Sequence, residues 1–270
     1  MVKLCQWLQV PRSSTYYEPR KKQPPKIDDV LAKAIHAVIE AFPTYGIRMT
    51  WSHLRFTEGW HTLNIKRVAR VMRLKGWTVH KRVRGGKPRV KIKSSKADTP
   101  NTRWATDLAS VFCGAKDGWC SFVPIVDCCT REILGWELDR SARAKTAERA
   151  LEDALLARFG TTHGAPEGML LRHDNGLVFG SKLYRRTAKE YGLQQEFITP
   201  YTPQENGLCE RLIRTAKEEC FWQHQFTSLE EARAVLAAWI EHYNHRRPHS
   251  SLRYQTPSGF HAAFERRQAA

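Results

Sequence analysis

The chain has 270 residues, 41% of them hydrophobic, with a formal net charge of +17. That length suits one sizeable core plus a smaller domain, and the composition is ordinary for a globular protein. The longest unbroken apolar run, Ala234 to Ile240, is seven residues, far short of the roughly 20 that cross a bilayer. The N-terminus lacks the apolar stretch of a signal peptide, so a cytoplasmic protein is the default expectation.

The charge is unevenly placed. Residues 1–100 hold 22 Lys/Arg against 6 Asp/Glu, and residues 101–270 hold 22 against 21. A polyanion-binding region joined to a near-neutral domain is expected, the plainer alternative being a basic, soluble tail. Seven cysteines include an adjacent pair, Cys128 and Cys129, and no C-x-x-C spacing. That argues against a disulfide framework or a zinc–thiolate site and for reduced, mostly buried thiols.

Residues 1–26 begin with a short amphipathic piece (Leu4, Trp7, Leu8, Val10). Ser13 or Ser14 offers a cap for a brief second helix, and Pro19, Pro24 and Pro25 then break the chain. From Ile27 the apolar spacing (Val30, Leu31, Ala34, Ile35, Val38, Ile39, Phe42) predicts a helix stopped by Pro43. A second helix is expected over 47–56. A third follows Asn64, a good N-cap, and is stopped by Gly76. Its apolar face is Ile65, Val68, Ala69 and Met72; its other face carries Lys66, Arg67, Arg70 and Arg73. Three short helices over 27–80 with a basic last one suit a helix-turn-helix entering the major groove. A small bundle with a solvated charged face is the competing reading, disfavoured because the charge is one-signed. Residues 81–100 form a basic linker (Lys81, Arg82, Arg84, Lys87, Arg89, Lys91, Lys93, Lys96) suited to tracking a phosphate backbone, or merely flexible.

A second domain, 101–225, opens with an expected strand from Trp104 to Phe112. Strands follow from Trp119 to Val126 and Glu132 to Leu138, making an antiparallel meander. A helix around Ala147 to Leu155, a strand from Met169 to Arg172, a helix from Ser181 to Tyr191 and a strand from Leu193 to Ile198 come next. A Pro-containing loop then leads to a helix from Gly207 to Cys220. The order predicts an α/β fold, a mixed five-stranded sheet with flanking helices. Residues 226–270 form a helical extension, with a helix from Leu229 to Tyr243.

Three acids stand out by context. Asp107 lies within the first strand, where Asp is disfavoured. Asp174 follows an apolar strand, although Asp174-Asn175-Gly176 is also a common turn. Glu210 sits in the first turn of a helix, where the dipole alone favours an acid. Adjacency of the first and fourth strands would let Asp107 and Asp174 converge, with the Glu210 helix beside them. Three carboxylates in one pocket repel unless cations neutralise them, and all-oxygen ligands favour Mg²⁺ or Mn²⁺. Arg214 and Lys217 share the face of Glu210 and suit phosphate contacts. Asp127, in a turn, reads as structural. His242, His245 and His249 have a weak zinc-like spacing broken by Pro248; that segment either packs on the core or touches DNA through Arg246 and Arg247.

The run from Trp104 to Asp107, the box from Arg172 to Gly176 and the run from Thr202 to Glu210 resemble the three acidic motifs of retroviral-integrase-like (DDE) transposases. Between Asp174 and Glu210 lie 35 residues (210 − 174 − 1), the family's hallmark spacing. The stretches 45–48, 64–72, 125–136, 242–252 and 256–258 resemble further signatures of the second-reading-frame product of bacterial insertion sequences. The resemblance implies an RNase H-like catalytic core behind a helix-turn-helix domain. It also implies Asp107, Asp174 and Glu210 as ligands of two Mg²⁺ or Mn²⁺ ions. The implied reaction is cleavage at element ends and strand transfer by 3′-hydroxyl transesterification. Implied partners are double-stranded DNA (terminal inverted repeats and target), further copies of the chain on DNA, and an upstream-frame protein or fusion. A nucleoid-associated location in a bacterium follows. The alternatives are a catalytically silent DNA-binding regulator or partner, and an RNase H-like nuclease.

Overall fold

The computed structural model describes residues 2–11, 26–79 and 95–269. The expected helix after Ser13 or Ser14 and the basic stretch from Lys81 to Lys93 lie outside the described residues.

After a short helix α1 (Val2–Trp7), three helical segments build the N-terminal unit. In α2 (Asp29–Ala41) the Asp28 carboxylate accepts from Leu31 N at 3.1 Å, the usual satisfaction of an orphan helix donor. The second helix, α3 (Ile47–Ser52), passes into a π-helical turn, His53–Thr57, so the expected span is one element with a change of winding. In α4 (Ile65–Leu74) Asn64 caps Lys66 N at 2.8 Å, and Val68, Val71 and Met72 are buried. Leu31, Ile35, Leu54, Leu63 and these residues form one apolar core.

The second unit is a mixed sheet with helices on both faces. Its segments are β1 (Arg103–Thr106), β2 (Ala109–Phe112), β3 (Trp119–Asp127), β4 (Ile133–Asp139), β5 (Leu170–His173) and β6 (Gln194–Phe197). The meander β2–β3–β4 is antiparallel, whereas β5 joins β1, and β6 joins β5, in parallel. The expected adjacency of first and fourth strands is therefore present.

One expectation needs correcting. The first strand is not continuous; pairing stops at Asp107 and Leu108 and resumes at Ala109. Yet β1 and β2 keep one register against β3, with Thr106 opposite Ile125 and Ala109 opposite Phe122. That register puts Pro124 opposite Asp107. The Cys128 N–H bonds Arg103 O at 2.9 Å, so alternate residues of β3, Pro124 among them, turn their backbone toward this row. Proline has no N–H to give. The gap at Asp107 thus follows from the Pro124 ring, and it frees the Asp107 backbone from the pleat.

On one face of the sheet, α5 (Ala144–Phe159) and α6 (Lys182–Glu190) cover Trp104, Val123, Ile125 and Leu171. The approach of α5 is close: a Cβ on Gly135 would lie 2.3 Å from Ala150 O. On the other face, α7 (Gly207–Glu219) and α8 (Leu229–His245) cover Ala105, Phe122, Val126 and Leu138. A last helix, α9 (Pro257–Gln268), closes the described chain.

The segment from His242 to Tyr254 seats the N-terminal unit on this core. Phe42 stacks on His242 with centroids 4.6 Å apart, and Tyr45 Oη lies 3.2 Å from His242 Nε2. Trp51 meets Tyr254 edge-on at 5.3 Å. Arg247 is bound to Glu219 through two bonds of 2.7 and 2.6 Å and lies over the Tyr243 ring. His249 bonds Tyr243 Oη at 2.9 Å. Of the two readings of this segment, packing is the one observed for His242, Arg247 and His249; Arg246 is exposed. All seven cysteines are free and buried.

Candidate active site

Asp107 stands in the gap between β1 and β2. Asp174 follows the last residue of β5, and Glu210 is in the first turn of α7. The parallel β1–β5 pairing aligns Ala105 with Arg172, so the two strand ends that carry the aspartates leave the sheet side by side. Each aspartate pins one oxygen to its own turn. Leu108 N donates to Asp107 Oδ1 at 2.8 Å, and Gly176 N donates to Asp174 Oδ1 at 2.9 Å. The other oxygen of each accepts no hydrogen bond among the described residues.

Electrostatics tie the three acids together. Burial pushes the Asp107 carboxyl up to about 6; the Leu108 N–H opposes this, and the charges of Asp174 and Glu210 add to it. The Cys209 thiol beneath them is pushed well up, first by complete burial, then by Asp107 and other neighbours including Glu210 and Asp174. Among the described residues, no group of three or more His, Cys, Asp or Glu is already set to hold a metal ion. The donor set itself, three carboxylates, fits a hard divalent cation.

A frame unforeseen in the sequence holds these elements in place. Arg172, buried on β5, donates to both oxygens of Glu196 at 2.8 and 2.9 Å, its register partner on β6. Arg172 Nη1 also donates to Glu205 O at 2.8 Å, in the 3₁₀ turn before α7. Arg103 reaches Glu196 as well, at 2.8 Å. Burial opposes ionisation of Glu196, but the two arginines hold its carboxyl below the usual carboxylate range. The Glu205 carboxylate accepts from Thr199 N at 2.8 Å, shaping the loop. Asn206, where α7 begins, donates from Nδ2 to Thr106 O at 3.1 Å, straight onto the residue before Asp107. Arg172 in an apolar run and a glutamate in the next strand were the available signal.

His173 is buried between Phe179 (centroids 4.9 Å) and Phe197 (4.4 Å). Burial pulls its pKa down. Nδ1 lies 2.8 Å from Asp174 O and Nε2 lies 3.0 Å from Gln195 Nε2, which makes it a neutral prop for the turn after β5. Asp127 is fully buried and accepts from the N–H groups of Asn101, Cys129 and Thr130 at 2.7, 2.7 and 2.8 Å; its work is to form the turn.

The basic residues divide. On α4, Lys66, Arg67, Arg70 and Arg73 are all exposed, but Arg67 is bonded to Asp28 at 2.6 Å. On α7, Arg214 pairs with Glu218 at 2.7 Å, and half-buried Lys217 lines a groove with Phe112, Trp119 and Trp222. Lys81, Arg82 and Arg84 lie outside the described residues.

A mixed sheet of this order with helices on both faces, behind a leading three-helix unit, defines an RNase H-like core preceded by a helix-turn-helix domain. Two families described as integrase core domain match residues 97–203 and 191–257, and one described as HTH-like domain matches residues 26–85. Transposase InsD for insertion element IS2A/D/F/H/I/K of Escherichia coli is 30% identical over 257 residues, covering 91% of this chain and 82% of that protein. Transposase InsD for insertion element IS2-9 of Escherichia coli (strain K12) is 30% identical over 91% of this chain and 81% of its own length. The simian T-cell lymphotropic virus intasome, solved in complex with PP2A regulatory subunit B56 gamma, contains a chain that shares the fold. It has a TM-score of 0.52 at 17% identity, covering 86% of this chain and 74% of that one. The chain belongs to the integrase-core transposases of insertion elements, a family of polynucleotidyl transferases that act on DNA. Among the described residues, no helix is long and apolar enough to cross a membrane.

Proposed function

We propose that this chain cuts the ends of an insertion element and joins the freed 3′-hydroxyls to target DNA, with Asp107, Asp174 and Glu210 holding two Mg²⁺ or Mn²⁺ ions. The observation that carries the reading is the parallel pairing of β1 with β5, which sets the strand ends of Asp107 and Asp174 side by side, with the start of the Glu210 helix tied to Thr106 through Asn206. Divalent ions bound there would activate a water or 3′-hydroxyl and stabilise the leaving oxygen. The chain's own part is positional. The Pro124 gap projects Asp107, the Asp174 turn aims one free oxygen, and Asn206 and Arg172 fix where α7 starts. Arg214 and Lys217 supply cations for flanking phosphates, Arg214 by exchanging Glu218 for DNA. In this reading residues 27–80 bind DNA through Lys66, Arg70 and Arg73, with Arg67 in support. Residues 81–100, with Lys81, Arg82 and Arg84, tether along the backbone, residues 101–225 do the chemistry, and residues 226–270 seat the two units. Several copies act together on paired DNA ends, alone or with an upstream-frame partner.

Calorimetric titration of the full chain with Mn²⁺ tests the ligand set. Two ions are expected for the wild type, and at least one is lost in each of Asp107→Asn, Asp174→Asn and Glu210→Gln. Unaltered stoichiometry in all three would overturn the assignment.

A further inference from the structure

A second basic site flanks α7. A cavity of about 500 Å³ is lined by Arg48, Lys96, Arg131 and Arg211, with Arg247, held by Glu219, in its wall; no Asp or Glu itself lines it among the described residues. Its α7 wall is centred on Leu208, Arg211 and Thr215 and lies beside the face of Glu210, Arg214 and Lys217 around the helix, given 3.6 residues per turn. Arg48 comes from α3, so the walls join the N-terminal unit, the helix that carries Glu210 and the C-terminal segment.

Four features mark the cavity as built for an anion. Arg131 sits at φ +68°, a conformation uncommon for a non-glycine residue, and in the turn between β3 and β4. Its Nε is buried with no hydrogen-bond partner among the described residues. A buried guanidinium N–H without an acceptor is unfavourable until one arrives. Burial accordingly pulls the Arg131 pKa down. His249 is pushed down to about 3, first by burial and then by Arg247, Arg131 and Arg211, which registers the positive potential inside. Finally, Ser250 and Ser251 bring hydroxyl donors to the rim. Arginine forks with hydroxyls suit a phosphodiester.

We propose that this cavity takes one backbone phosphate of bound DNA and so locks the helix-turn-helix unit against the helix that carries Glu210. The proposal rests on the DNA-handling function above. It assigns to the segment 242–254, beyond its packing role, a share in a phosphate site.

The test uses the full chain and a duplex of mixed sequence, following affinity against salt. In Arg48→Gln with Arg211→Gln, two exposed positions, the slope of log affinity against log salt should fall by about 0.9, the value of one phosphate contact. A charge-matched control, Arg266→Gln with Arg267→Gln on α9, should keep the wild-type slope. Arg131→Met should lose DNA affinity by several-fold while the DNA-free protein melts no lower than wild type, since the replaced cation lacks a structural partner. A wild-type slope in both cavity variants, or an equal fall in the control, overturns the proposal. So does a polyglutamate chain that binds wild type but not the variants while DNA binding is unchanged, which would reassign the cavity to an acidic protein. If wild type itself shows no salt-dependent DNA binding, the functional reading fails first, and the two failures are thereby distinguished.

Discussion

Replacing Asp107 with asparagine should stabilise the metal-free protein while removing a metal ligand. Asparagine keeps the shape of the side chain and the acceptor for Leu108 N–H, now at 2.8 Å, but removes a charge that burial and two neighbouring carboxylates oppose. The carboxyl rises from 3.8 to about 6, and each tenfold change in ionisation is worth about 1.4 kcal/mol, so the ceiling is ~3 kcal/mol at neutral pH. Asp107 is only partly buried, and solvent screening brings this to about 1–2 kcal/mol. For a domain of this size that is a rise in Tm of ~2–8 °C. The sign follows from linkage. A carboxyl raised in the folded state contributes stability that is fully present below the unfolded value of 3.8 and lost as pH rises through about 6. Wild type and variant should therefore melt together below about pH 3.8, diverge as pH rises from there, and keep a constant gap above about pH 6. Melting is followed by circular dichroism in a chelator and again with Mn²⁺, which should raise the wild type and leave the variant nearly unmoved. A variant that melts lower than wild type at neutral pH without metal, or equal stabilisation of both by Mn²⁺, refutes the reasoning.

Arg172→Gln should destabilise the core by about 1.5–3 kcal/mol, because it removes charge-assisted bonds to Glu196, which Arg103 still neutralises; a denaturation midpoint equal to wild type would contradict the frame. Gly176→Ala would set a Cβ 2.8 Å from Asp174 Oδ1. It should cut strand joining at least about tenfold (~1.4 kcal/mol) with little change in melting, whereas wild-type activity would show that the turn does not aim Asp174. Arg70→Gln with Arg73→Gln on α4 should weaken DNA binding on all sequences and lower the salt slope by about 0.9 per phosphate lost; Arg67 is left intact because it also holds Asp28. Unchanged affinity would remove α4 from the DNA interface.

Much of the fold was readable where local chemistry and packing agree. Asn64 and Gly76 bracket α4, and period-3.6 spacing marks α2, because a cap or an apolar stripe is visible in one segment alone. The break at Asp107 was not readable, since it depends on Pro124 lying opposite across a register that only the folded sheet defines. The three acids were readable as motifs, but their support was not. Arg172 and Glu196 have 23 residues between them (196 − 172 − 1) and meet only because β5 and β6 pair in parallel. Arg247 shows the converse: a basic residue that reads as a DNA contact is buried against Glu219, a partner supplied by another helix.

The most direct test of the central claim is Mn²⁺-dependent reaction of the full chain with a duplex that ends in the element's own terminal repeat, followed by strand-joining products on a gel. Wild type should cut and join, while Asp107→Asn, Asp174→Asn and Glu210→Gln should each lose both steps yet still bind the duplex. Joining by all three variants at the wild-type rate would contradict the account, and cutting without any joining by wild type would make the chain a nuclease.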